Sequence, residues 1–85
     1  MKVKVLFFAS LREQLGVSSE MVELPGDSAT VGALRAQLAG RGDAWRTALV
    51  DGKLLRTAVN QDMAGLAAPL KSGDEVAFFP PVTGG

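Results

Sequence analysis

The sequence contains no cysteine and no histidine. It therefore has no thiolate nucleophile, no imidazole base and none of the commonest soft metal ligands. Most side-chain catalysis is excluded, no metal site is expected, and no cofactor is expected to be held by side chains. A disulfide scaffold is excluded as well, which agrees with a reducing compartment.

Net charge is missing too. Nine Lys plus Arg balance nine Asp plus Glu, and they are scattered, so no cationic stripe exists to neutralise phosphates and no nucleic-acid partner is expected. The longest apolar run, Val5 to Ala9, is far short of the roughly 20 residues that span a bilayer. Lys2 and Lys4 before so short a run, with Arg12 and Glu13 after it, do not make a signal peptide. The expectation is a cytoplasmic chain with no membrane partner.

The 85 residues, 47% hydrophobic and 21% charged, suit one compact domain. Residues 2 to 9 begin with polar/apolar alternation and become continuously apolar, which predicts a central strand buried on both faces. Ser10-Leu11-Arg12-Glu13 fits a capping box opening a short helix that Gly16 stops. Glu20 to Leu24 alternates, with Val22 and Leu24 on one face and Met21 and Glu23 on the other, and Pro25-Gly26-Asp27 ends this second strand.

Thr30 caps a main helix whose Val31, Leu34 and Leu38 recur at helical spacing, ended by Gly40 to Gly42. Asp43 to Arg46 can begin another helical turn. Leu49 and Val50 then meet Asp51-Gly52, a two-residue hairpin signal before Lys53-Leu54-Leu55. Ala58-Val59 opens a further strand, ended at Asn60-Gln61-Asp62. Lys71 to Asp74 is a turn, and Glu75 to Phe79 is a last buried strand that Pro80-Pro81 terminates. The class is α+β: a sheet of four to five strands gripping one main helix.

Residues 1–79 thus form the domain, and 80–85 form an extended tail. At roughly 3.3 Å per residue those last residues reach about 20 Å, enough to enter a neighbour's active site. Pro80 and Pro81 stiffen the base, Val82 and Thr83 continue it, and Gly84 and Gly85 pass where a Cβ would collide. A terminal carboxylate is unreactive until activated, because its delocalised anion resists nucleophiles and lacks a leaving group. A Gly-Gly end arises by chance in roughly 0.5% of chains, so the dipeptide alone does not establish a function.

The larger pattern is more specific. Lys4-Val5-Leu6-Phe7-Phe8-Ala9, Asp51-Gly52-Lys53-Leu54-Leu55, Val59-Asn60-Gln61 and the whole stretch from Gly73 to Gly85 resemble the small subunits of molybdopterin synthase. The likeness covers essentially the whole chain, and its closing segment is the most specific part. It implies a ubiquitin-like β-grasp fold, with a mixed sheet, and a cycle at Gly85. In that cycle an E1-like adenylating enzyme uses ATP to form a glycyl adenylate. A sulfur donor then converts it to a thiocarboxylate, the 1-thioglycine form.

The resemblance further implies that the loaded tail enters the large subunit and gives sulfur to cyclic pyranopterin monophosphate. Two transfers make the molybdopterin dithiolene, and the catalytic side chains belong to the partner. A carrier without cysteine is consistent with this, since a thiocarboxylate needs no side-chain thiol.

Other residues have plainer readings. Phe7, Phe8, Phe78 and Phe79 lie on two strands expected to be neighbours, and either core packing or a partner surface accounts for them; the resemblance assigns Phe7 and Phe79 in part to the large-subunit interface. Trp45 is expected at the core or its edge. Asp74 and Glu75 are expected as a turn residue and a solvated or partner-facing charge, not an acid–base pair. Arg12, Arg35, Arg41, Arg46 and Arg56 are expected on solvated surface, and Gly52 and Gly73 are glycines for turn reasons. Two other functions are compatible with the sequence: a protein modifier joined through Gly85 to a lysine, and a passive interaction domain.

Overall fold

The computed structural model describes residues 1–49 and 55–80. The chain runs through β1 (Lys2–Phe7), α1 (Ser10–Leu15), β2 (Ser19–Glu23), β3 (Ala29–Thr30), α2 (Val31–Ala39), α3 (Asp43–Leu49), β4 (Arg56–Val59), β5 (Asp62–Ala64), β6 (Pro69–Leu70) and β7 (Glu75–Phe79). Five strands form one sheet in the order β2-β1-β7-β4-β5, and β3 pairs with β6. β1 and β7 are parallel, while β1–β2, β4–β5 and β4–β7 are antiparallel. The mixed α+β sheet expected from the sequence is present.

One face of the sheet meets the helices. Val3, Val5 and Phe7 of β1, Val22 of β2, and Val76 and Phe78 of β7 join Val31, Leu34 and Leu38 of α2 in a single core. The helical spacing of those three residues is what presents one apolar stripe to the sheet. Thr30 caps α2 through its Oγ1, which accepts from the Ala33 amide at 3.1 Å.

β1 differs from its expectation, since it is buried on one face only: Lys2 and Lys4 are exposed and Leu6 is half-buried. The helices α1, α2 and α3 cover a single side of the sheet, which leaves the alternate residues of β1 facing outward. α1 also begins differently. Ala9, not Ser10, is the capping residue, and no side chain caps the helix. Ser10 is already helical there, so the expected reciprocal box does not form. Ala9 instead takes φ 53° and ψ −129°, and the Leu11 amide donates to Phe8 O at 3.1 Å to close a tight turn. Gly16 ends the helix in the left-handed conformation, as expected.

The segment after α3 contains two further corrections. Leu49 is the last residue of a helix and is fully buried, not the approach to a hairpin. The Asp51-Gly52 turn with Val50, Lys53 and Leu54 falls outside the described residues. Asn60-Gln61 does not merely end a strand: both residues have positive φ, 50° and 73°, and they join β4 to β5 as a two-residue hairpin. Asp62, expected among the strand-ending residues, is the first residue of β5. Gly73, at φ 92°, occupies the expected turn before β7.

Candidate functional site

The pleat and the register sort the sheet residues into two faces. Phe78 pairs with Phe7 and with Thr57, all toward the helices. Ala77, its neighbour, pairs with Leu6 on one side and Ala58 on the other, and Ala58 pairs with Met63. These four residues therefore line the open face. Phe79 joins them, next to Arg56 of β4, and so does Phe8, which is 45% exposed and whose amide donates to Phe78 O at 3.2 Å.

The open face has two halves. Where β7 ends it is mainly apolar, built from Leu6, Phe8, Ala58, Met63, Ala77 and Phe79, with the exposed cation Arg56 beside Phe79 at its edge. The other half carries charge of both signs, with Lys4 beside Glu75 and Lys2 beside Glu23. β7 stops at Phe79, and Pro80, half-buried, follows. The last described residues thus leave the sheet at the apolar half. An apolar surface flanked by charge is the ordinary composition of a protein-docking site.

Phe7 is not part of that surface. It is 1% exposed, stacks with Phe78 at 6.3 Å between ring centroids, and makes a T-shaped contact with Trp45 at 5.6 Å. The expectation that Phe7 contacts a partner is corrected: its side chain is core, and Phe8 takes the outward position. The signal was in the sequence, because Lys2-Val3-Lys4-Val5 alternates and one more step of that alternation puts Phe7 with the valines. Phe79, the other aromatic expected at an interface, is half-buried on the open face. Leu6 and Met63 carry no site signal in the sequence, and strand register is what brings them onto one face with Phe8.

Pro80 is described, whereas Pro81, Val82, Thr83, Gly84 and Gly85 lie outside the described residues. Among the described residues no group of three or more His, Cys, Asp or Glu side chains could hold a metal ion, and no helix is long and apolar enough to cross a membrane.

Trp45 is part of the core rim, with the Arg41 guanidinium 4.6 Å from its ring centroid and in an ion pair with Glu20. Arg35 is not a freely solvated cation: its Nε donates to the Leu49 carbonyl, and partial burial lowers its affinity for the proton. Arg12, Arg46 and Arg56 are exposed. Asp74 closes the expected turn, its amide donating to Lys71 O at 3.0 Å, and it is 8% exposed. Its carboxylate accepts from Asn60 Nδ2 at 3.0 Å and from the Lys71 amide at 2.8 Å. Those bonds hold its carboxyl below the usual carboxylate range, the Asn60 bond contributing most.

The ThiS family model matches residues 5–85. The chain belongs to the ThiS family. It is 54% identical over 83 residues to the molybdopterin synthase sulfur carrier subunit of Escherichia coli, a match that covers 98% of this chain and 99% of the relative.

Among solved structures, small archaeal modifier protein 1 (SAMP1) of Haloferax volcanii superposes with a TM-score of 0.82 at 34% identity, covering all of both chains. A chain from the complex of subunits 1 and 2 of the molybdopterin-converting factor of Helicobacter pylori gives 0.68 at 27%, again over the full length of both. The fold is the ubiquitin-like β-grasp expected from the sequence.

Proposed function

We propose that the chain is the sulfur-carrier subunit of a molybdopterin synthase, with Gly85 as its working residue and residues 80–85 as a delivery tail. The 54% identity to the E. coli sulfur carrier over 98% of this chain, beside a family match that extends to residue 85, is the observation that carries this reading. In the proposed cycle a Gly85 carboxylate oxygen attacks the α-phosphate of ATP on an E1-like enzyme, releasing pyrophosphate. Sulfur from a donor then displaces AMP and leaves a thiocarboxylate. Transfer to cyclic pyranopterin monophosphate, followed by hydrolysis, returns the carboxylate, and two loaded chains complete the dithiolene.

No side chain of this chain needs to act as acid or base in that sequence. The chain supplies reach, a slim tip and a surface to dock. The apolar half of the open face, centred on Phe8 and Phe79 and adjoining the start of the tail, is the proposed surface for the large subunit; the H. pylori relative is described in complex with its subunit 2. The same face, presented to the activating enzyme in turn, would make the two partners alternate. The compartment proposed for this cycle is the cytoplasm.

The test is reconstitution with the purified large subunit and cyclic pyranopterin monophosphate. Product should form with the thiocarboxylated chain and not with the carboxylated one. Equal product from a chain lacking Gly84 and Gly85 would refute the reading. A second reading is favoured by the likeness to SAMP1: the same adenylate passed to a lysine amine would make the chain a protein modifier. Isopeptide adducts ending in Gly85, found in extracts of the source cells, distinguish it.

A further inference from the structure

Met63 is the central residue of β5, paired with Ala58, on the open face. It is 60% exposed. Across the sheet from it stand Ala58 and Ala77, whose methyl groups are too short to cover a thioether. The Met63 side chain therefore belongs to the accessible surface of the mainly apolar half. Met21 is exposed to the same degree, 60%, and lies on the same face, but it pairs with Lys4 in the charged half. The chain thus carries two comparably accessible thioethers, one inside the apolar patch and one outside it.

We propose that Met63 is an oxidative modification site that turns the docking face off, an inference that rests on the reading of this face as the partner surface. The oxidant class is a hydroperoxide. A sulfur lone pair attacks the terminal peroxide oxygen, and the S–O bond forms as the O–O bond breaks. The departing alkoxide, which is hydroxide when the oxidant is hydrogen peroxide, takes the proton of the new S–OH group and leaves as an alcohol or water. Sulfur is oxidised by two electrons and the peroxide is reduced by two, so no other reactant is needed. The product is a methionine sulfoxide, which a thiol-dependent sulfoxide reductase can reverse.

The consequence follows from desolvation. A sulfoxide oxygen accepts hydrogen bonds from water, and an apolar partner surface closing over it strips those bonds without replacing them. The same change at Met21 leaves the oxygen in a polar, wet environment. A carrier that exchanges one partner for another uncovers Met63 in every cycle, whereas the docked form shields it.

The experiment treats the wild-type chain, Met63→Leu and Met21→Leu with hydrogen peroxide, locates each added oxygen of ~16 Da by peptide mass spectrometry, and measures affinity for the purified large subunit by calorimetry. Circular dichroism checks that the fold is kept. Wild type and Met21→Leu should lose about tenfold or more in affinity, and Met63→Leu should lose none. Peroxide should oxidise Met63 in the free chain and spare it in the preformed complex.

Normal binding by wild-type chain oxidised at Met63, or an equal loss in Met63→Leu, overturns the inference. An untreated Phe79→Ala variant separates the two levels. If it binds weakly while oxidised wild type binds normally, only the oxidation switch fails; if it binds as well as wild type, the docking face itself is wrong and the inference falls with it.

Discussion

Asn60 Nδ2 donates to Asp74 Oδ1 at 3.0 Å, joining residues 14 apart in the chain. The other end of the same amide, Asn60 Oδ1, accepts from the Glu75 amide at 3.0 Å, and the Asn60 amide donates to Glu75 O at 2.8 Å. The β4–β5 hairpin is thereby fastened to the turn that starts β7, and the strand leading to the tail is held in register.

This fastening predicts a pH-dependent stability. The Asp74 carboxyl is held below the usual carboxylate range in the folded chain, so the unfolded chain binds its proton more readily. The contribution is complete above the ordinary carboxyl value of the unfolded chain and is lost as pH falls through the lower folded value. Asp74→Asn should cost about 1–3 kcal/mol at neutral pH. In urea titrations the gap from wild type should narrow below about pH 4; a gap that stays constant across that range contradicts the role given to the carboxylate.

Neighbouring phenylalanines should behave as opposites. Phe7→Ala empties a core position and should destabilise by about 3–5 kcal/mol. Phe8→Ala should change stability by less than about 1 kcal/mol yet weaken binding to the large subunit at least about tenfold. Thermal melts and calorimetry on the two variants give the answer, and a large stability loss at Phe8 with intact binding would reverse the assignment of faces.

Ala9 occupies a backbone conformation that costs a residue with a Cβ on the order of 1–3 kcal/mol. Ala9→Gly relieves that strain but gives the unfolded chain more freedom, about 0.4–1 kcal/mol. The net expectation is a chain that is more stable by up to about 2.5 kcal/mol, read as a higher melting temperature. A lower one means that the turn from Phe8 to Leu11 is not strained by Ala9.

Much of the fold was legible because local signals agreed with the tertiary outcome. Thr30 with Val31, Leu34 and Leu38 gave α2, and Val22 and Leu24 gave the buried side of β2 and of the residue that follows it. Gly73 and Glu75 to Phe79 gave the turn and the last strand. The failures occurred where a short motif had more than one physical solution. Ser10 and Glu13 can form a capping box, but the chain instead turned at Ala9. Asn60-Gln61 looks like a stop in sequence, yet Asn tolerates left-handed φ and can close a hairpin. The run Leu6-Phe7-Phe8-Ala9 looked buried on both sides because apolar residues occupy both, and the sequence does not say which face the helices cover. The site divided the same way: the tail was visible as a motif, whereas the apolar patch of Leu6, Phe8, Met63 and Phe79 came together only through strand register.

The central claim is that Gly85 carries sulfur, and intact mass spectrometry tests it most directly. The chain is incubated with its E1-like enzyme, ATP and a sulfide source, beside a variant lacking Gly85 and a second carrier that confirms the enzyme is active. The account predicts a gain of roughly 16 Da, one oxygen replaced by sulfur, as a thiocarboxylate intermediate of covalent catalysis requires, on the full chain and none on the deletion. An unchanged mass while the second carrier is loaded would contradict it.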